Sequence, residues 1–165
     1  MMLIGSALIA GCQPEEIQPL GEPLNVLQNI KGTWQLTKVE QVDEYAKSKS
    51  FPYTTLDITN LYSYKDLKIT FNADANNAPS NYTIVYGNSP KIIKQASGNW
   101  SVDNPEAPQI LTFGSGTTAE KVQIGNYNTL YNNQLLLSVK RYQVSSTGAK
   151  SLVLSNNYYF TKVNP

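Results

Sequence analysis

Side chains able to carry out chemistry are few, since the 165 residues include one cysteine and no histidine. The missing histidine removes Ser-His-Asp and Cys-His nucleophilic sites, histidine general bases and His-ligated zinc. Carboxylates remain, in two local groups: Glu40, Asp43 and Glu44, and Asp103 with Glu106. A glycosidase needs two facing carboxyl groups roughly 5 to 10 Å apart, one of them protonated. The first group runs from a strand end into a loop and the second lies in a proline-bounded turn. We therefore interpret both as solvated surface acids and predict no catalytic residue, cofactor or enzymatic activity.

Residues 72–76 (NADAN) alternate oxygen-bearing side chains in the manner of a calcium loop. Such a loop needs glycine at its sixth position and glutamate at its twelfth, where this sequence has Asn77 and Thr83. A turn rich in Asn and Asp is the better interpretation. No metal site is predicted.

The single cysteine, Cys12, follows an uncharged and mostly apolar run, residues 1–11 (MMLIGSALIAG). The run is shorter than the roughly 20 residues of a membrane span, and small residues, Ala10 and Gly11, directly precede the thiol. This stretch resembles the lipobox of bacterial lipoproteins. The resemblance implies a signal peptide over residues 1–11, cleavage between Gly11 and Cys12, and acylation of Cys12, although no Lys or Arg precedes the run. A buried structural cysteine is the alternative.

Residues 12–30 are predicted to be the lipidated cysteine and a flexible acidic tether, because Pro14, Pro19 and Pro23 accompany three acidic residues and no basic one. Residues 13–16 (QPEE) resemble the short acidic signal that sends some lipoproteins to the cell surface. The alternative is that the two glutamates keep the linker solvated. The expected location is the outer membrane, through the N-terminal lipid, with the domain at the cell surface or on the periplasmic face.

Composition limits the classes of partner. With Cys12 lipidated no disulfide is possible, so a packed core must stabilise the one domain predicted over residues 31–165. From Lys31 onward there are thirteen basic and nine acidic residues, a net charge of +4. Nucleic-acid binding requires clustered Lys and Arg and a pI above the 7.7 of this chain, so no nucleic-acid partner is predicted.

Apolar residues alternate with polar ones along most of the chain after Lys31, the period of half-buried strands. The predicted fold is all-β, an antiparallel up-and-down barrel of about eight strands that closes to hide its edges. A short helix or helical turn is predicted over residues 56–64, with Asp57 as N-cap. The insertion that holds it is long enough to fold over one end of the barrel as a lid. The strands are predicted over residues 33–42, 67–71, 81–86, 96–102, 109–113, 120–126, 134–144 and 151–163.

The first strand opens with a Gly-x-Trp motif, Gly32 to Trp34. Together with residues 97–105 and 157–162, it resembles lipocalins and the lipocalin-like domains of uncharacterised bacterial lipoproteins. The resemblance implies that Gly32 and Trp34 form the plug at the narrow end of the barrel, with an arginine near the chain's end covering the indole. The one arginine, Arg141, lies a strand earlier than that pattern, whereas the last strand offers Lys162. Both candidates stay open.

Six aromatic residues are candidates for a ligand site in the barrel mouth: Tyr82, Tyr86, Trp100, Tyr142, Tyr158 and Phe160. Their rings and hydroxyls suit a small apolar or amphipathic molecule, or a glycan. The alternative is that the same rings fill the core and that the domain is structural or binds a protein partner, whose identity the sequence does not indicate. An eight-stranded barrel has room for side chains or for one small ligand, so both interpretations are kept.

Overall fold

The structure, a computed structural model of the chain, describes residues 26–163. The predicted signal peptide and lipidation site, with Gly11 and Cys12, lie outside the described residues. Nine strands are described: β1 (Gly32–Asp43), β2 (Thr55–Asp57), β3 (Lys68–Ala73), β4 (Pro79–Val85), β5 (Ser97–Val102), β6 (Ile110–Phe113), β7 (Glu120–Ile124), β8 (Gln134–Val144) and β9 (Lys150–Val163).

The strands form a closed antiparallel barrel. Their order is β2-β1-β3-β4-β5-β6-β7-β8-β9, and β9 pairs back with β1, from Thr33↔Val163 to Asp43↔Leu154. Strands β1 and β3 to β9 therefore make an eight-stranded up-and-down barrel. The short strand β2 pairs with residues 40–42, near the C-terminal end of β1. The predicted fold class is confirmed, and each predicted strand has its counterpart.

A short helix, α1 (Val26–Ile30), precedes the barrel. The prediction that the tether runs to residue 30 is wrong for this stretch, because Val26 and Ile30 are buried in the core. Residues four apart lie on one face of a helix, so a single turn inserts both side chains. None of the helices in residues 26–163 is long and apolar enough to cross a bilayer.

The insertion between β1 and β3 differs from its prediction. The predicted short helix or helical turn after the first strand is present, as α2 (Glu44–Ser48) and as the turns of residues 59–63 that lead into a 3₁₀ segment, but no helix spans residues 56–64. Helix α2 is capped by Asp43, whose Oδ1 accepts from the Ala46 N–H at 2.8 Å. Asp57 ends β2 and accepts instead from the Thr59 N–H at 2.9 Å. The physical reason is that the edge of β1 offers unpaired peptide groups, and bonds to that edge outweigh a local helical preference.

Two further features complete the insertion. The Ile58 N–H donates to the Val39 carbonyl at 2.9 Å, and a 3₁₀ turn, Tyr64–Asp66, leads into β3. Ile58 and Tyr64 are buried in the barrel core. The insertion thus extends the wall beside β1 and adds two side chains to the core.

The barrel interior is packed with aromatic rings. Phe71 lies 5.2 Å from Trp100 and 5.8 Å from Phe113, and Tyr82 lies 5.0 Å from Phe113, all as centroid distances. Within residues 26–163 every buried side-chain nitrogen or oxygen has a hydrogen-bond partner. Interiors packed in this way have little free space for a second molecule.

At the α1 end, Trp34 is fully buried and its Nε1 donates to the Ile30 carbonyl at 2.7 Å. The Lys162 ammonium lies 5.4 Å from the centroid of its ring, and the same ammonium donates to the Asn29 carbonyl at 3.0 Å. Lys162, rather than Arg141, therefore covers the indole. Gly32 has φ +119°, and a Cβ there would lie 2.8 Å from Lys162 Cε, so this position favours glycine on two grounds.

Candidate functional site

Four of the six predicted ligand residues are core residues: Tyr82, Trp100, Tyr158 and Phe160 are all buried. The polar atoms of two of them are already bonded to backbone. The Tyr82 hydroxyl donates to the Gln95 carbonyl at 3.3 Å, and Trp100 Nε1 donates to the Asn72 carbonyl at 2.7 Å. These rings pack the core, as the alternative interpretation held.

The other two predicted residues lie apart from that core. Tyr86 is half-buried at the rim opposite α1, where its hydroxyl donates to the Ile93 carbonyl at 2.5 Å. Burial, with smaller contributions from Tyr82 and Glu120, raises the pKa of Tyr86 to about 12. Tyr142 is 52% exposed, beyond an irregularity in the β8–β9 pairing. The structure does not bring the six residues into one pocket.

Glu40, from the first predicted acidic group, is an ionised hydrogen-bond acceptor on the outer wall. It is bonded to Lys38 Nζ at 2.6 Å and to the Tyr159 hydroxyl at 2.6 Å. The bonds from Lys38 and then Tyr159 hold the pKa of Glu40 below its ordinary value. Burial, and next the bond to Glu40, raises the pKa of Tyr159 to about 12. This carboxylate links strands β1 and β9, and is less solvated than the sequence suggested.

The carboxylates of Asp103 and Asp74 each accept backbone N–H groups and so stabilise a turn. Asp103 Oδ1 accepts the N–H groups of Gln109 and Ile110, both at 3.0 Å, and backbone bonds of this kind lower the pKa of Asp103. Asp74 Oδ1 accepts from the N–H of Asn76 at 2.8 Å, as the turn interpretation of residues 72–76 predicted. No group of three or more His, Cys, Asp or Glu suited to a metal occurs within residues 26–163.

A cleft opens at the rim opposite α1, where two strands separate. Strand β7 pairs with β8 at Gln123↔Ser138 and Ile124↔Leu137, and this pairing stops at Ser138. Strand β8 continues to Val144 beside β9. The β4–β5 loop crosses this gap and is held to β7 by Glu120, whose Oε1 accepts from the Lys94 N–H at 2.6 Å.

This rim cleft has a volume of about 520 Å³. Ile93 is buried, Ile92 and Val139 are half-buried, and the basic side chains around them are exposed. Small-molecule sites usually measure about 300 to 1,000 Å³ and combine apolar walls with a few polar groups. The lining residues are Lys91, Ile92, Ile93, Lys94, Glu120, Val139, Lys140 and Arg141.

A second depression, of about 340 Å³, lies on the outer wall between the 3₁₀ segment Tyr127–Asn132 and strands β8, β9 and β1. Its walls include Tyr159 and Leu136 among amide and hydroxyl side chains. Lys38 Nζ lies 5.4 Å from the centroid of the Tyr159 ring. Since that lysine covers the ring, the aromatic face is less available to a ligand than the apolar strip of the rim cleft.

A protein-family model described as "Domain of unknown function (DUF5004)" matches residues 12–134, three quarters of the chain's length. The chain belongs to this family. The DUF5004 match takes in β1 to β7 and ends at Gln134, the first residue of β8, so that β9, which closes the barrel, lies outside it. No curated protein matches the chain.

The sequence of this DUF5004 domain does not indicate the rim cleft. Its basic residues come from two stretches, 91–94 (KIIK) and 139–141 (VKR), which are far apart in the chain. Each stretch places Lys or Arg directly beside Ile or Val, a local signal that is weak because such pairs are common in strands. Only the strand order brings the two stretches together.

Proposed function

We propose that this chain is a lipoprotein anchored to the outer membrane through Cys12, with a non-catalytic barrel domain that binds a small amphipathic molecule. The binding site in this proposal is the rim cleft, which replaces the aromatic barrel mouth expected from the sequence. The observation that carries the proposal is an open cleft of about 520 Å³ with an apolar strip, at the rim of a barrel whose interior is packed.

The anchor is supported by the small residues before Cys12 and by the proline-bearing acidic stretch after it. The family match also begins at Cys12, the residue at which a mature lipoprotein would begin. From residue 13 to residue 25 an extended chain would span at most roughly 45 Å, enough to hold the barrel off a bilayer.

The packed core supports placing the ligand at the rim. A ligand in the interior would have to displace rings such as those of Phe71 and Trp100, whose centroids lie 5.2 Å apart. Removing a large ring from its packed site costs several kcal/mol. At the rim, by contrast, Ile92 and Val139 already have part of their surface open to solvent.

A second candidate function, binding of a protein partner, is favoured by one surface. Within the insertion several large apolar side chains are exposed, with Tyr53 at 92%. Exposed apolar side chains gathered in one region are typical of interaction sites. The exposed residues are Tyr45, Phe51, Tyr53, Leu56, Leu61 and Tyr62.

The anchor is tested with Cys12→Ala in the full chain. Because the thiol is the acylation site, we expect the variant to leave the membrane fraction and to lose the mass of the lipid by mass spectrometry. Continued membrane association of the variant would refute anchoring through Cys12. Surface labelling of intact cells then separates the cell-surface and periplasmic locations.

The binding function is tested by native mass spectrometry of the full chain, extracted gently from its own membrane. A small-molecule adduct that is lost on denaturation is expected in the parent and absent in Ile92→Asp, which puts a charge on the apolar strip of the cleft. The matched control is Val85→Asp, at an exposed residue outside the cleft. An adduct retained by Ile92→Asp would refute this location, and a bare protein together with a co-purifying protein would favour the second candidate.

A further inference from the structure

We infer that the rim cleft selects an amphipathic anion, with the carboxylate, phosphate or sulfate held by its basic residues and the apolar part on Ile92 and Val139. The inference rests on the proposed function, since it assumes that this cleft is the binding site. It adds the charge of the ligand and the groups that contact it.

The basic residues converge from two elements. Lys91 and Lys94 lie on the β4–β5 loop, and Lys140 and Arg141 lie on β8. One carboxylate, Glu120, shares the cleft, and its Oε1 already accepts a backbone N–H. Val139 and Arg141 share the inner face of β8, whereas Lys140 between them lies on the outer face. The side chains available to the cleft are therefore Lys91, Lys94 and Arg141 against one carboxylate, an arrangement that attracts anions.

None of these four cations has a carboxylate within salt-bridge distance among residues 26–163. The ion pair found in that part of the chain, Lys38 with Glu40, lies on the outer wall. Lys91 lies 5.8 Å from the centroid of the Tyr86 ring, which orients its ammonium at the rim.

The separated strands add a neutral hydrogen-bond donor. The Gly125 N–H donates to the Leu136 carbonyl at 2.9 Å, so the peptide groups of Leu136 face β7. Alternate residues of an antiparallel strand direct their peptide groups to the same side, so those of Ser138 and Lys140 face β7 as well. Because the β7–β8 pairing stops at Ser138, the peptide group of Lys140 lies beside the cleft on the edge that β7 leaves, where its N–H would suit an anionic oxygen.

The apolar strip sets the size of the ligand. Ile93 is buried beneath the cleft, while Ile92 and Val139 leave part of their surface uncovered. A volume of about 520 Å³ suits a compact ring system or a chain of moderate length. The charged residues and the apolar strip lie side by side, so the ligand needs a charged end and an apolar body.

The test uses two fluorescent probes with the same ring system: anilinonaphthalene sulfonate, an anion, and the uncharged N-phenyl-1-naphthylamine. The protein is the chain from residue 12 onward carrying Cys12→Ala, so that no lipid is attached. We expect the anionic probe to bind about tenfold more tightly than the neutral one, and its affinity to fall as salt is added. The double variant Lys94→Gln/Arg141→Gln is expected to weaken the anionic probe about tenfold and to leave the neutral probe unchanged. Lys47→Gln with Lys121→Gln is the matched control, removing two exposed lysines outside the cleft.

Competition distinguishes the sources of the charge. Decanoate, decyl phosphate and decyl sulfate are each expected to displace the anionic probe. The order of their affinities identifies the preferred head group. Displacement by inorganic phosphate alone, at the same concentration, would overturn the amphipathic part of the inference. Equal binding of both probes, abolished by Ile92→Asp, would overturn selection for an anion while leaving the proposed binding site intact. Binding of neither probe, or binding that Ile92→Asp does not affect, would refute the cleft as the site and the proposed function with it.

Discussion

The Lys162 ammonium lies over the Trp34 ring, 5.4 Å from its centroid, and donates to the Asn29 carbonyl at 3.0 Å. One side chain of the last strand thereby connects the first strand to the last turn of α1. Burial, and next the charge of Lys31, lowers the pKa of Lys162. The charged ammonium is thus held in a partly desolvated place, where the indole face and the carbonyl stabilise it.

Replacing this lysine tests the closure of the barrel. Lys162→Met keeps an unbranched apolar chain and removes the charge, so we expect the free energy of unfolding to fall by about 1 to 3 kcal/mol. Urea unfolding measures the change. Lys31→Met is the control, because Lys31 is exposed and its ammonium donates to Asn77 Oδ1 across a long 3.4 Å bond. Equal losses in the two variants would contradict the role given to Lys162.

Gly32→Ala tests the same region from the other strand. At φ +119° a side chain is strained, and the new Cβ would lie 2.8 Å from Lys162 Cε. We expect a loss of about 2 to 4 kcal/mol in the free energy of unfolding, from backbone strain plus displacement of the lysine. Gly116→Ala is the control, with φ +65° and no atom within 4 Å of its Cβ, and a smaller loss of about 1 to 2 kcal/mol is expected. Combining Gly32→Ala with Lys162→Ala should cost less than the two changes separately, because the clash is removed.

Substitution of Trp100 and of Tyr142, both predicted from the sequence to contact a ligand, tests whether the barrel interior is packed. Trp100→Ala should lower the free energy of unfolding by about 3 to 5 kcal/mol, since the buried ring contacts Phe71 and its Nε1 is bonded to the Asn72 carbonyl. Tyr142→Ala, at an exposed position, should change it by less than about 0.5 kcal/mol. Thermal or urea unfolding of both variants measures these changes in the free energy of unfolding. A small loss for Trp100→Ala would indicate an interior with space for a ligand.

Tyr86 is expected to make the free energy of unfolding depend on pH in the alkaline range. Its pKa is raised from 10.0 to about 12 in the folded protein. Between these values the unfolded chain releases a proton that the folded chain keeps, so stability falls as the pH rises from 10 to 12. The pKa of Tyr159 is also raised to about 12. Tyr86→Phe should flatten the decline in the urea midpoint over this range, although it costs about 1 kcal/mol at neutral pH through the lost bond to Ile93. A decline as steep as that of the parent would contradict this assignment.

Local patterns were sufficient for most of the fold. The alternation in residues such as Leu67 to Phe71 identifies strands because successive side chains point to opposite faces, a property of the chain itself. The turns at Asp74 and Asp103 were recognisable for the same reason, since each carboxylate bonds to nearby backbone N–H groups. The Gly-x-Trp motif likewise marked the start of β1, where Trp34 is buried.

Predictions failed where distant segments compete for the same groups. The predicted short helix or helical turn after the first strand is present, but its predicted start at residues 56 and 57 is wrong, because residues 55–57 pair with β1 as strand β2. Val26 and Ile30 belong to the core because the open end of the barrel accepts them, a fact that no local pattern contains.

The sequence by itself determined the strands and most of their turns, because each depends on neighbouring residues. Tertiary structure decided that Lys162 covers Trp34, that most of the predicted ligand rings are core, and that a basic cleft lies at the rim. That cleft exists because the β7–β8 pairing stops at Ser138 while β9 continues beside β8. Such a difference in strand pairing depends on the register of strands far apart in the chain, which local periodicity does not specify.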